Sequence, residues 1–155
     1  MTDIRLICGR SLKLALCAAA FALAACQAKP PATLAPLPSL AVTLGPDPGP
    51  KGDPDGSGSA LITLDAGKQE ICFELRVADI DLPALAAHIH KGRAGENGPI
   101  VVALAAPDAS GSAQGCRQVE GSVFSPILST PSNYYVWVHT EDSGILQAAL
   151  RGQLP

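Results

Sequence analysis

Glu70-Ile71-Cys72-Phe73-Glu74-Leu75-Arg76-Val77 is the stretch that decides the fold class. Ile71, Phe73, Leu75 and Val77 fall on one side of an extended chain, and Cys72, Glu74 and Arg76 on the other. Strict alternation of this kind is the mark of a half-buried strand, since successive side chains of a strand point to opposite faces. Reading outward, Asp65-Ala66-Gly67 is a turn, and Ser59–Leu64 before it alternates more weakly. Gly45 to Gly58 is packed with Gly, Pro and Asp and predicts a loop, with a short strand at Leu40–Leu44 ahead of it. Downstream, strands are expected at Ala86–His90, Ile100–Leu104, Gly115–Glu120, Tyr134–Thr140 and Ala148–Leu154, with a helical turn at Phe124–Leu128 before Pro131. About eight short strands separated by turn signals, with no long helical period, predict an all-β Greek-key β-sandwich.

The chain has 155 residues, enough for one domain with a real core. It is 47% hydrophobic, but the Ala- and Leu-rich first quarter raises that figure, so the remainder is less apolar than the average implies. Residues 1–25 include Arg5, Arg10, Lys13 and Asp3. Without them the 11 basic and 14 acidic side chains become 8 and 13, a net charge of −5. A mildly acidic chain with no basic cluster is poorly suited to nucleic acid.

The N-terminus reads as an address. Its basic residues precede an apolar run, Leu14 to Ala22, that is shorter than the roughly 20 residues needed to span a bilayer as a helix. The run ends in Leu23-Ala24-Ala25-Cys26, which resembles the lipobox read by lipoprotein signal peptidase. That resemblance implies cleavage before Cys26 and acylation of its thiol, with each buried CH₂ contributing about 0.8 kcal/mol to membrane anchoring. The other reading is an ordinary signal peptide with Cys26 incidental. Gln27 rather than Asp follows, which in a diderm cell implies the outer membrane. The expected organisation is therefore a signal peptide at 1–25, a lipidated cysteine and Pro-rich tether at 26–38, and a β domain at 39–155.

Cys8 and Cys17 would leave with the signal. Cys72 and Cys116 then remain as a pair in an oxidising compartment, which suggests one disulfide. A metal site on that pair would need further ligands nearby in sequence, and none is obvious.

Three segments carry a family resemblance. They are His88-Ile89-His90-Lys91-Gly92 running into Ala94-Gly95-Glu96-Asn97-Gly98-Pro99, then Tyr134-Tyr135-Val136-Trp137-Val138-His139-Thr140, then Arg151-Gly152-Gln153-Leu154. Together with Gly52-Asp53-Pro54-Asp55-Gly56-Ser57-Gly58 and the Cys72/Cys116 pair, they resemble the CHRD (chordin) domain over about residues 40–154. Two departures stand out. Trp137 occupies a position where family members usually have Asn, and Ser143-Gly144-Ile145-Leu146-Gln147 replaces a more usual Pro-Gly turn. The resemblance implies an extracellular β domain and brings no established reaction with it.

His88, His90 and His139 are the chain's three histidines, and all lie in those motifs. Two residues apart on one strand, His88 and His90 present their imidazoles to the same side, about 6–7 Å apart by the rise per residue. If the Tyr134–Thr140 strand is adjacent, His139 joins them, and three neutral imidazoles with an open position suit copper or zinc. The order His-x-His, a later Val-His, then Arg-Gly is also similar to copper–zinc superoxide dismutase, an eight-stranded Greek-key sandwich. That similarity implies copper on His88, His90 and His139, with Arg151 guiding an anion. It also has a serious mismatch, because the histidines for a bridging ligand and a zinc site are missing. The bland reading has the three histidines bonding loop backbone such as the Gly92–Gly98 turn.

Other features carry less. Asp53 and Asp55 could hold Ca²⁺ but lack the spacing of a calcium loop, and Asp-Pro-Asp-Gly is ordinary turn chemistry. Arg93 and Glu96 read as a solvated surface pair, and no Gly-x-Ser-x-Gly elbow occurs. The leading expectation is thus a non-enzymatic binding or structural module, anchored by Cys26 in the cell envelope, with an unknown envelope or extracellular partner. The alternative is a copper- or zinc-binding protein with a dismutase-like redox role.

Overall fold

The structure is a computed structural model that describes residues 35–49, 52–142 and 145–155. The expected signal peptide, Cys26 and most of the expected Pro-rich tether lie outside them. Among the described residues there are eight strands: β1 (Ser39–Pro46), β2 (Ser57–Asp65), β3 (Glu70–Ala78), β4 (Ala86–Lys91), β5 (Ile100–Leu104), β6 (Ser112–Gln118), β7 (Tyr134–Asp142) and β8 (Ile145–Gln153). One helix, α1 (Gly121–Ser129), and a short 3-10 turn at Pro131–Asn133 separate β6 from β7.

All pairings are antiparallel, in the order β5-β4-β7-β8-β1-β2-β3-β6. β1 belongs to both halves of this order. Its Ser39–Leu44 portion pairs with β2, and its last two residues, Gly45 and Pro46, pair with β8. The result is a nearly closed sheet flattened into a sandwich. Its free edges, β5 and β6, approach each other, with Arg117 Nε donating to the Ala103 carbonyl at 3.2 Å. Where β8 passes β1 the backbones come so close that a Cβ at Gly152 would collide with the Thr43 carbonyl, so that position needs glycine.

The alternation of β3 is realised as read. Ile71, Phe73, Leu75 and Val77 are buried, while Cys72, Glu74 and Arg76 face outward. They pack with Val42, Leu44, Ile62 and Leu64 of the same half against Ile89, Val102, Val136, Val138 and Leu150 of the other. Phe124 and Ile127 place α1 on this same core. Cys72 and Cys116 lie directly opposite each other on β3 and β6, joined by a disulfide on the outer face with Cα atoms 3.9 Å apart. Several expected boundaries differ, among them β8, which starts at Ile145 and not at Ala148, and β7, which runs on to Asp142. The 45–58 loop is shorter, because β1 runs on to Pro46 and β2 starts at Ser57; β6 lies a few residues earlier than expected; and the helical turn is a full helix from Gly121. Among the described residues no helix is long and apolar enough to cross a membrane.

Candidate metal centre

Alternation gives β4 and β7 each a core face and an outer face. Ala87, Ile89, Val136 and Val138 take the core face. His88 and His90 of β4 therefore point outward beside Tyr135, Trp137 and His139 of β7. The register sets His90 opposite Tyr135, His88 opposite Trp137 and Ala86 opposite His139. The small Ala86 leaves room for the His139 ring to lean toward His88. β4 and β7 are neighbours, as convergence of the three histidines required.

The three imidazoles form a triangle. Ring centroids are 5.7 Å apart for His88–His90, 5.5 Å for His88–His139 and 6.1 Å for His90–His139. One ring nitrogen from each lies within 4.8 Å of the others. Although they stand on an outer face, His90 and His139 are only 5% and 7% exposed, and His88 is half-buried. Trp137 closes one side, 5.0 Å from the His90 ring and 4.8 Å from the His139 ring.

Two nitrogens have their protonation fixed by backbone. Nδ1 of His90 lies 2.9 Å from the Gly98 carbonyl oxygen, which can only accept, so that nitrogen carries the proton and Nε2 keeps a lone pair. His139 likewise donates to the Gln147 backbone. What remains is Nδ1 of His88, Nε2 of His90 and Nδ1 of His139, all buried and without a hydrogen-bond partner. Buried polar atoms are nearly always satisfied, and three orphans side by side in one cluster are the pattern of a ligand site. A ring nitrogen held by backbone while the other is free is also how metal-binding histidines are oriented.

Burial and mutual repulsion keep the rings neutral, the state that binds metal. Burial lowers His139 to about 4, helped by the charges of His88 and His90 and opposed by the Gln147 carbonyl and by Asp47. His88 is lowered by burial and then by His90. His90 is lowered by burial and, less, by Arg151, against the Gly98 carbonyl.

Arg151 has a structural task. Its guanidinium stacks 3.5 Å over the Tyr135 ring, whose other neighbour is the near-parallel His90 ring at 5.1 Å. Its N–H groups donate to Asn97 Oδ1 at 3.1 Å and to the Arg93 and Glu96 carbonyls at 3.2 and 2.6 Å. These bonds clamp the Gly92–Gly98 loop beside His90, and Tyr135 Oη adds another by accepting from Gly98 N at 3.1 Å. Donors committed in this way hold a loop and are not presented to an incoming anion, which differs from the steering role implied by the dismutase likeness. Arg93 and Glu96 are exposed, but their contact runs from the Arg93 backbone N–H to the Glu96 carboxylate, while the Arg93 guanidinium bonds Asn133. Asp53 caps its own turn by accepting from the Asp55 and Gly56 N–H groups. The loop clamp was not legible from sequence, because Arg151, Asn97 and Glu96 are brought together only by the β4–β7 and β7–β8 pairings.

Fold and site together define a Greek-key β domain with a three-imidazole cluster on its outer face. The CHRD domain profile matches residues 40–154, and the chain belongs to the CHRD family. No curated protein and no solved structure matches it. A binding or structural module is what that membership supports.

Proposed function

We propose that this CHRD domain is a cell-envelope metal-binding module that takes one copper or zinc ion on His88, His90 and His139. The observation that carries the reading is that three histidines able to bring one ring nitrogen each within 4.8 Å of the others also each keep a buried, partnerless ring nitrogen. A metal bound at about 2.0–2.1 Å sets three imidazole nitrogens about 3.5 Å apart, inside the 4.8 Å that spans them here. Catalytic dismutation is no part of the proposal. The chain has three histidines in all, so a bridging imidazole and a second metal site have no donors, and Arg151 is engaged elsewhere.

The anchor belongs to the same reading. Leu23-Ala24-Ala25-Cys26 supports acylation of Cys26, with the Pro-rich segment holding the domain off the membrane surface, the outer membrane in a diderm cell. Incorporation of labelled fatty acid, lost in Cys26→Ser, tests it.

Equilibrium dialysis of the full chain against Zn²⁺ and Cu²⁺, beside the variant with His88, His90 and His139 all changed to Ala, tests the metal site. One ion per chain, lost in a variant that circular dichroism shows to be folded, supports the proposal. Equal uptake by both chains overturns it.

A further inference from the structure

Resting on that metal site, we infer that its preferred ion is monovalent copper, held by three imidazoles with the Trp137 indole filling the fourth position. Trp137 lies directly across from His88, and its ring is 5.0 and 4.8 Å from the other two imidazoles. Its Nε1 is itself buried and partnerless, so the indole is held by packing and is not turned outward to a polar partner. Tyr135, fully buried, walls the next side at 5.8 Å from Trp137.

An indole is a poor σ-donor, but its face attracts cations. It also keeps water out of the position that Zn²⁺ would fill with a fourth ligand and that Cu²⁺, with its tetragonal preference, would need for a further N or O donor. Cu⁺ has a filled d shell, accepts three ligands in a plane, and does not need that water.

Charge points the same way. The ligand set is three neutral imidazoles, with no carboxylate or thiolate among the nitrogens within 4.8 Å of one another. The ligands themselves carry no negative charge, so they leave the ion's own charge uncompensated at a largely buried site. The cost of burying charge rises with its square, and a monovalent ion bears far less of it than a divalent one.

Trp137 is the chain's single tryptophan, so its fluorescence reports this site alone. The test uses the full chain with Cys8→Ser, Cys17→Ser and Cys26→Ser, so that no leader thiol competes for copper. Cu⁺ is supplied anaerobically with ascorbate against a chromophoric Cu⁺ chelator, and Zn²⁺ is titrated against its own indicator. Cu⁺ is expected to bind one to one, to quench Trp137 and to bind more tightly than Zn²⁺. Trp137→Asn should weaken Cu⁺ at least tenfold and strengthen Zn²⁺, because water gains entry. Trp137→Phe, which keeps an aromatic wall, should fall between them and guards against a misfolded Asn variant. An unchanged Cu⁺-to-Zn²⁺ ratio in both variants overturns the inference and leaves the metal site standing. Absence of either ion beyond the level of the triple-histidine variant overturns the metal site itself.

Discussion

Acid should destabilise the metal-free domain well above the range where carboxylates titrate, with His139 as the main cause. In the unfolded chain His139 has its ordinary value near 6.5, and in the folded domain burial holds it near 4. Above 6.5 both states carry the neutral ring and the full stability is present. As pH falls from 6.5 toward 4 the unfolded state takes up the proton and the folded state resists it, so stability drops. The difference corresponds to a ceiling of about 3 kcal/mol, of which about 2 kcal/mol is already lost at pH 5. His88 and His90 are lowered in the same direction and add to the loss. Urea unfolding in the presence of a chelator, followed by Trp137 fluorescence at about pH 8 and pH 5, measures it against His139→Gln. The variant should lose clearly less than the parent between the two conditions, the difference approaching about 2 kcal/mol. Equal losses in the two proteins, or no loss in the parent, would refute the claim that the imidazole is buried in its neutral form.

Three further outcomes are expected. In Gly98→Ala the new Cβ would collide with the Lys91 carbonyl and push away the oxygen that orients His90, so metal affinity in the dialysis assay should fall about 10–100-fold. Arg151→Met removes the clamp on the Gly92–Gly98 loop, and hydrogen exchange there should quicken while β3 amides stay protected. Paired Cys72→Ala and Cys116→Ala substitutions open a loop of 44 residues' separation, and the urea midpoint should fall by an amount equivalent to about 4 kcal/mol on the chain-entropy account.

The parts of this molecule that rest on local pattern could be read from the sequence. Period-two alternation marked β3, and the aromatic and β-branched run marked β7, because burial of one face is written into every second residue. The His88/His90 spacing likewise put both rings on one side, since residues two apart in a strand share a face. Pairing was not legible. That β4 lies against β7 with Ala86 opposite His139 follows from a Greek-key connection whose register is set by the whole core. For the same reason Arg151 could be noticed but not placed, since its partners Arg93, Glu96 and Asn97 are over fifty residues away in the chain. The backbone contacts of His90 and the freedom of its second nitrogen were competing readings of the sequence. The structure shows both in one ring, with the loop bond on Nδ1 and the orphan on Nε2.

The position of the cluster itself favours a ligand. An outer strand face in a sandwich is normally where polar side chains meet water, and three histidines there would need no explanation if they were solvated. In this domain the outer face of β4 and β7 is covered by Trp137, by the fully buried Tyr135 and by a loop clamped through Arg151, so that water is removed from nitrogens that then find nothing to bond. Each such atom left bare costs about 1–3 kcal/mol. Replacing the rings by apolar side chains would remove that cost and keep the packing, so stability alone does not account for three imidazoles at this place. On the proposed reading, an ion that engages one nitrogen of each ring does. It would also stabilise the folded state in proportion to the logarithm of its concentration over its dissociation constant. Saturating metal should therefore raise the unfolding midpoint of the parent chain and leave that of the triple-histidine variant unmoved. An equal rise in both would place the ion elsewhere and return the cluster to a purely structural role.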